Sequence, residues 1–215
     1  MSTTRSAFIQ PYEQLPDTLP VFPLNNAVLL PGGLLPLNIF EPRYLNMVQD
    51  AMHDQHLLGM IQPRDESSTP TLCEVGCAGR ITQYAETSDG RLEIMLAGVC
   101  RFHVAGEIPS VRGYRLVQPD WTAFAQDYQE QSVDDSLMQY FMTVLRDYLS
   151  AQDMQVDWER VGKLDVAELS SSLVSALPLG ADDKQLLLES PDLGERLTLF
   201  ATILGEAGSS AGTRH

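Results

Sequence analysis

The stretch that decides the fold is residues 19–48, LPVFPLNNAVLLPGGLLPLNIFEPRYLNMV. Its part before Glu41 has no charged side chain, and Glu41-Pro42-Arg43-Tyr44 follows directly. The apolar part is long enough to suggest a membrane helix, but its prolines and glycines break it into pieces shorter than a bilayer crossing. We therefore predict short buried strands that lead into a helix, with Glu41 at the N-cap and Pro42 at the first helical position.

The charge balance excludes one class of partner. The 215 residues carry a formal charge of −15, and Lys163 and Lys184 are the only lysines. Residues 121–215 hold 6 basic and 16 acidic side chains. Because nucleic acids and anionic membranes are bound through Lys and Arg contacts to phosphate, both are poor partners for this surface, and RNA binding is the weakest of our interpretations.

The cysteine count bears on the compartment. The chain has three cysteines, and its start, MSTTRSAFIQPYEQ, lacks the basic and apolar pattern of a secretion signal. An odd number of cysteines without such a signal is typical of a reducing compartment. We therefore predict a cytoplasmic protein without disulfides.

Hydrophobic periodicity divides the chain into two parts. Leu92, Ile94 and Leu96 alternate with more polar residues after a turn at Asp89-Gly90, which predicts a β-hairpin. From residue 137 to 149 the apolar spacing becomes 3.6, which predicts a helix. We predict a leader (1–18), a β-rich part (19–124), a helical bundle (132–207) and a tail (208–215). Predicted helix starts are Ser132 with Asp135, Asp165, Asp182, and Ser190 before Pro191.

Known chemical motifs are absent or lack their context. Gly162-Lys163 misses the other residues of a P-loop. The G-x-S-x-G match at 208–212 follows a helix, whereas a nucleophile elbow follows a strand. A zinc site sketched from Cys73, Cys77, His53 and His56 lacks the usual ligand order and spacing. We therefore predict no catalytic residue, no metal and no cofactor.

Arg43 needs a reason for its position. A positive charge in the first turn of a helix opposes the helix dipole, so we expect a specific carboxylate partner or an exposed role. Glu41, Glu74, Glu93 and an incoming ligand remain open as that partner. A mainly structural role is the favoured interpretation.

The same residues resemble the opening of the N-terminal, substrate-binding domain of Lon proteases. That family's pattern runs close to L-P-x-F-P-L, then P-G, then P-L-x-I-F-E-x-R-Y. The matching positions are Leu19, Pro20, Phe22, Pro23, Leu24, Pro31, Gly32, Pro36, Leu37, Ile39, Phe40, Glu41, Arg43 and Tyr44. Later matches are Gly79, Asp89-Gly90-Arg91, Gly98, Arg101-Phe102, Lys184-Gln185-x-Leu187-Leu188-Glu189 and Glu195-Arg196-Leu197.

The resemblance implies an α+β fold, in which a β-rich, PUA-like pseudo-barrel with one inserted helix precedes an all-helical C-terminal bundle. It also implies a bacterial-type recognition module related to proteolysis, in a protein that carries the LON domain without the ATPase and protease modules. In the family this module engages unfolded or tagged polypeptides.

Our leading hypothesis is a non-catalytic protein- or peptide-binding module, acting as an adaptor or quality-control factor. Its partners would be polypeptide substrates or a protein partner, and homodimerisation stays open. The predicted peptide-binding residues are Phe40, Glu41, Arg43 and Tyr44. Met47, Met52, Met60 and Met95 are read as core filler or as adaptable contact surface.

The alternative hypothesis is a small-molecule enzyme or ligand-binding protein that uses the cleft between the two parts. It requires His103, Glu93 and Arg101 to converge in a closed pocket.

Overall fold

The computed structural model describes residues 10–67 and 69–211. Six strands and one helix form the first part of the chain, and five further helices follow. The strands are β1 Leu19–Pro23, β2 Leu34–Ile39, β3 Leu57–Ile61, β4 Val75–Glu86, β5 Leu92–Ile108 and β6 Arg115–Asp120. The helices are α1 Pro42–His53, α2 Asp135–Ala151, α3 Trp158–Val161, α4 Val166–Ala176, α5 Ala181–Glu189 and α6 Leu193–Ala211. Short 3₁₀ segments cover Tyr12–Gln14 and Thr122–Tyr128.

The sheet closes into a ring of five strands. Its strand order is β2-β5-β4-β3-β1-β6, and β5 also pairs with β6. The pairings β1–β3, β3–β4, β4–β5, β5–β6 and β6–β1 therefore complete a barrel, in which only β1–β3 is parallel. The predicted pseudo-barrel is confirmed, and α1 supplies the connection that lies between β2 and β3.

Strand β2 lies outside the ring. It pairs antiparallel with residues 92–97 of β5, while β3 pairs with β4 only up to Arg80. Residues 81–86 of β4, residues 92–96 of β5 and strand β2 therefore form a three-stranded extension, which we call the wing.

A close backbone approach holds the chain before β2 against β5. The Gly98 N–H donates to the Gly33 carbonyl (2.8 Å), and the Gly32 N–H donates to the Gly98 carbonyl (3.0 Å). A Cβ atom at position 98 would overlap the carbonyl oxygen of Leu30. Glycine is needed here because the two backbones cross without space for a side chain.

The helical part packs around α2 and α6. The rings of Phe141 and Phe200 lie 5.5 Å apart, and Leu145, Leu197 and Leu204 are fully buried. The predicted 3.6-residue period of α2 is confirmed, with Tyr140 on the solvent side. None of the helices in the described ranges is long and apolar enough to cross a membrane.

The first described residues pack on the connection between the barrel and the helices. The Tyr128 hydroxyl donates to the Gln10 carbonyl (3.0 Å), and the Trp121 indole N–H donates to the Pro16 carbonyl (3.1 Å). Residues 10–16 of the predicted leader thus pack on the segment that connects the barrel to the helices. Helix α6 extends into residues 208–211 of the predicted tail. Residues 1–9 and 212–215 of these two predicted segments lie outside the described residues.

Candidate functional site

A groove of about 450 Å³ crosses the wing. Each of the three strands contributes three consecutive residues to its lining. These are Pro36, Leu37 and Asn38 from β2, Gln83, Tyr84 and Ala85 from β4, and Glu93, Ile94 and Met95 from β5. The lining is mainly apolar, and the groove is open to solvent rather than enclosed.

The local sequence explains why side chains face this groove. Leu92, Ile94 and Leu96 of β5 are buried, so the alternate residues Glu93 and Met95 face the other way. Across the ladder, Met95 pairs with Pro36, and Glu93 pairs with Asn38.

The groove contains one carboxylate and no basic residue. Glu93 is its only charged lining residue, and it lies exposed on β5. Tyr84 is 37% exposed, and its hydroxyl donates to Glu86 (2.9 Å). Partial burial, followed by this hydrogen bond to a carboxylate, raises the pKa of Tyr84, so the phenol is neutral at physiological pH.

Phe40 follows β2 directly and is 62% exposed. The guanidinium of Arg91 lies 5.8 Å from the centre of its ring. Arg91 itself forms an ion pair with Asp89 (3.0 Å) at the β4–β5 turn. A large aromatic ring therefore lies in solvent beside the end of the groove.

Glu41 and Arg43 form an ion pair with each other. Glu41 occupies the N-cap position of α1 but makes no side-chain cap; its carboxylate instead accepts from Arg43 Nε (2.9 Å) and Nη2 (2.8 Å). Both side chains are about half exposed. The partner that the sequence left open is thus Glu41, whereas Glu74 pairs with Arg64.

Tyr44 belongs to the core. It is 5% exposed, and its ring centre lies 4.2 Å from that of Phe22. The Arg43 guanidinium covers its ring at 4.5 Å. Burial raises the pKa of Tyr44, and the positive charge of Arg43 partly offsets that rise. Of the four residues predicted from the sequence, Phe40, Glu41 and Arg43 are accessible. Tyr44 is buried, and its ring packs against the guanidinium of Arg43.

The cluster required by the enzyme hypothesis does not form. Glu93, Arg101 and His103 all lie on β5, but Glu93 and His103 are ten residues apart, or roughly 33 Å along a strand. His103 stacks on Phe124 (5.2 Å between ring centres), and Arg101 is fully buried. These three side chains therefore cannot act together on one small molecule.

The four residues considered for a zinc site do not form one in the structure. His53 Nδ1 lies 2.7 Å from the carbonyl oxygen of Gln49, within its own helix, and Cys77 is fully buried in β4. Among residues 10–67 and 69–211, no three His, Cys, Asp or Glu side chains are placed to hold a metal ion.

A buried arginine joins the barrel to the helices. Arg101 Nη2 and Nε donate to Asp127 (2.7 and 3.0 Å), and Nη1 donates to the Leu188 carbonyl (3.0 Å). Further bonds go to the Ser190 and Pro191 carbonyls. We call this set the interlobe lock. The sequence matched Arg101 to a family position but gave no signal for its partners.

Arg196 lies beside the lock. It is 4% exposed, and its Nε donates to the Leu187 carbonyl (3.1 Å). Burial, followed by repulsion from Arg101, lowers the pKa of Arg196 to about 10. The guanidinium therefore keeps its charge at neutral pH.

A second polar cluster attaches α5 to the barrel. Gln62 is 3% exposed; it accepts from the Asn26 N–H (2.9 Å) and donates to the Ala181 carbonyl (2.9 Å). Lys184 Nζ lies 3.3 Å from the Asn26 carbonyl, and burial lowers the pKa of this lysine. Gln185 donates to the Val75 carbonyl (3.1 Å). The Lys184-Gln185 motif thus has a structural task.

Sequence reasoning missed Pro36, Gln83 and Tyr84 as groove residues. A signal existed for Met95 and Glu93, because their alternation with buried residues predicted the solvent side of β5. Which strands would flank them could not be read from spacing, since β2 and β5 lie about sixty residues apart in the chain.

Solved structures share this fold. The Lon N-terminal domain protein from Xanthomonas campestris matches with a TM-score of 0.64 and 24% identity, covering 86% of this chain and 97% of that one. The N-terminal domain of the Mycobacterium avium complex Lon protease matches with a TM-score of 0.63 and 18% identity, covering 89% and 98%.

Sequence relatives are longer proteins. Lon protease 2 of Myxococcus xanthus is 25% identical over 200 residues, which are 89% of this chain and 24% of that protein. The Lon protease of Parabacteroides distasonis is 25% identical over 205 residues, or 92% and 25%. The chain thus spans about a quarter of the length of these relatives. The model of the ATP-dependent protease La (LON) substrate-binding domain matches residues 18–206, and the chain therefore belongs to that family.

Proposed function

We propose that the protein is a non-catalytic module that binds extended or unfolded segments of other proteins, as an adaptor or quality-control factor in proteolysis. The observation that carries this proposal is the groove across the wing, together with the exposed ring of Phe40 at its end. Membership of a substrate-binding family supports the same role.

The groove suits a polypeptide better than a small polar molecule. Its lining offers Pro36 and Met95 as apolar surface and a few polar groups for orientation. Methionine and aromatic side chains adapt to varied partners, as a module with many substrates requires. The exposed pair Glu41–Arg43 follows Phe40 in the chain and would form the polar rim of the site.

The proposed setting is the cytoplasm. Cys73, Cys77 and Cys100 are not joined in a disulfide among the described residues, and the latter two are fully buried. Free cysteines are typical of reducing compartments. The net charge of −15 favours protein partners over nucleic acid and anionic membranes.

The test is binding of a fluorescently labelled, chemically unfolded protein, measured by anisotropy. Phe40→Asp replaces the exposed ring at the end of the groove with a charge and is expected to weaken binding about tenfold, or ~1.4 kcal/mol. Leu186→Asp is the matched control, because Leu186 is similarly exposed (51%) but lies on α5.

Two results would contradict the proposal. Wild-type protein that shows no affinity for any unfolded chain would remove its basis. Equal loss in the Phe40→Asp and Leu186→Asp variants would show that the wing is not the site.

A further inference from the structure

The outer edge of β2 offers unpaired backbone groups. The Gly98 N–H donates to the Gly33 carbonyl, which fixes the alternation along the antiparallel ladder. The amides of Leu35, Leu37 and Ile39 consequently point to β5. Those of Leu34, Pro36 and Asn38 point away from it, and these three residues are exposed.

Pro36 agrees with this orientation. Proline has no N–H, so it can occupy an edge strand without loss only where its nitrogen faces outward. Its register partner is Met95, and the ladder continues past it to Leu92. The edge therefore presents the carbonyls of Leu34, Pro36 and Asn38 and the N–H groups of Leu34 and Asn38.

Helix α4 covers the approach to this edge and also contacts β2 itself. Ser171 Oγ donates to the Pro31 carbonyl (2.8 Å), and a Cβ at Gly33 would meet the Ser171 side chain. Farther along β2, no backbone hydrogen bond outside the β2–β5 ladder engages Pro36 or Asn38 among the described residues. Six residues give an edge of roughly 20 Å, enough for a short extended segment.

Glu93 gives the edge a charge preference. It pairs across the ladder with Asn38, and no ion pair engages it among the described residues. Arg91, two residues earlier on the same face, is paired with Asp89. A guest strand beside β2 would lie about 10 Å from β5, because neighbouring strands are spaced by about 4.8 Å. A lysine or arginine side chain of the guest strand that extends across Asn38 is long enough to reach the Glu93 carboxylate on β5.

We propose that β2 accepts an extended polypeptide as an added antiparallel or parallel strand, and that Glu93 selects guests with a basic side chain opposite Asn38. This inference rests on the proposed polypeptide-binding function and names its mode and its substrate class. Edge addition supplies affinity through the main chain, and side chains over the groove supply specificity.

A second copy of this chain is a poorer occupant. Each copy would bring its own Glu93 and a net charge of −15, so that two wings repel each other. Pro36 also removes one donor from each edge, which interrupts a self-paired ladder.

The test uses labelled eight-residue peptides of alternating Val and Thr with a central Lys, Gln or Glu, at about 150 mM salt to screen distant charges. We expect the Lys peptide to bind most tightly and the Glu peptide least. Glu93→Gln should weaken the Lys peptide about two- to fivefold and leave the Gln peptide unchanged. Glu66→Gln is the control, because it removes an exposed carboxylate from the β3–β4 loop.

The strand-addition mode has its own variants. Asn38→Pro removes the outward N–H but no bond to β5, and should weaken every peptide about two- to tenfold. Peptides N-methylated at alternate residues cannot donate to the edge carbonyls and should not bind. Circular dichroism of Asn38→Pro checks that the sheet is retained.

The remaining outcomes distinguish failure of strand addition from failure of the proposed function. If methylated peptides bind normally, or if Asn38→Pro binds as the wild type does while Phe40→Asp does not, strand addition is wrong and the proposed function stands. If wild-type protein binds neither peptides nor unfolded protein, the proposed function itself fails. A concentration-dependent dimer that Asn38→Pro abolishes would assign the edge to a second copy and overturn the inference.

Discussion

One carboxylate, Asp50, ties α1 to the loop before β6. It accepts from the Tyr114 hydroxyl (2.8 Å) and pairs with Arg112 Nε (2.7 Å). Burial, followed by the bond to Asp50, raises the pKa of Tyr114 to about 12. A phenol with a raised pKa stabilises the fold while it is protonated.

We predict a corresponding pH dependence of stability. Because the pKa of Tyr114 is higher in the folded state than the unfolded value of about 10, its contribution is complete below pH 10 and is lost as the pH rises towards 12. Tyr114→Phe should cost about 0.5–1.5 kcal/mol at pH 8 and flatten the loss of stability from pH 10 to 12. Urea unfolding at several pH values measures both effects. An unchanged slope in the variant would contradict the assignment.

The sequence did not indicate which of the predicted site residues would be exposed. Phe40 ends a run without charged residues and is exposed, whereas Tyr44, four residues later, is buried. Nothing in the sequence distinguishes these two aromatic residues. The difference arises from packing: the Tyr44 ring meets Phe22 of β1, whereas Phe40 lies beyond the last ladder pair, Ile39 with Leu92.

Among the elements, β5 links the wing to the barrel. Its residues 92–97 pair with β2, and its residues 103–108 pair with β6. Register shifts between Ala78 and Gly79 of β4 and between Val104 and Gly106 of β5 mark bulges. Bulges bend a strand and increase its twist, which allows β5 to pair in both the wing and the barrel.

We predict that Gly98→Ala destabilises the protein by about 1–3 kcal/mol, because the added methyl would overlap the Leu30 carbonyl. Gly106→Ala is the matched control on the same strand, where an added Cβ has no neighbour within 4 Å. It should be neutral or stabilising by up to about 1 kcal/mol. Chemical denaturation of both variants decides the matter, and equal midpoints would refute the packing explanation.

Helices and strands were more predictable than their ends. The predicted start at Asp165 is confirmed, since its carboxylate accepts from the Glu168 N–H (2.7 Å). Ser190 was predicted to cap α6, but its hydroxyl donates back to the Leu186 carbonyl, and Asp192 accepts from the Glu195 N–H instead. Periodicity reports which face is buried, whereas a cap depends on where each hydroxyl finds its partner.

The starts predicted for α2 and α5 differ from the observed ones. The N-cap of α2 is Asp134 and makes no side-chain cap, so the box predicted from Ser132 and Asp135 does not form. Helix α5 begins after Gly180, and Asp182 lies within its first turn. Acidic residues in a first turn favour the helix dipole without a capping bond, which explains why the sequence pattern looked like a cap.

At the scale of the whole molecule, the interlobe lock joins the barrel to the helices. Asp127 lies in the 3₁₀ segment between them, and Arg101 reaches from β5 to the junction of α5 and α6. The ion pair is fully buried, and such pairs are costly to break because one charge is left uncompensated.

We predict that Asp127→Asn costs about 3–5 kcal/mol and uncouples the two parts. Trp121 reports on the barrel and Trp158 on the helices, so variants that keep one tryptophan each can follow urea unfolding separately. When Asp127 is present, the urea midpoints reported by Trp121 and Trp158 should be equal. In Asp127→Asn the two midpoints should differ. Glu74→Gln, which removes an exposed ion pair, should cost less than about 1 kcal/mol. If Trp121 and Trp158 report the same unfolding midpoint in Asp127→Asn, the lock does not couple the two parts.

The sequence could not reveal this lock. The acceptors of Arg101 lie 26 to 90 residues away along the chain, and three of them are backbone carbonyls, which leave no mark in a sequence. The two-part architecture follows from local periodicity, whereas the way the parts are held depends on long-range geometry.

The closed ring of five strands has an evolutionary consequence. Since the barrel is complete without β2, substitutions at the solvent-facing positions Leu34 and Asn38 can accumulate with little penalty to folding. Descendants of this chain are thereby free to diversify what they recognise while inheriting the same scaffold.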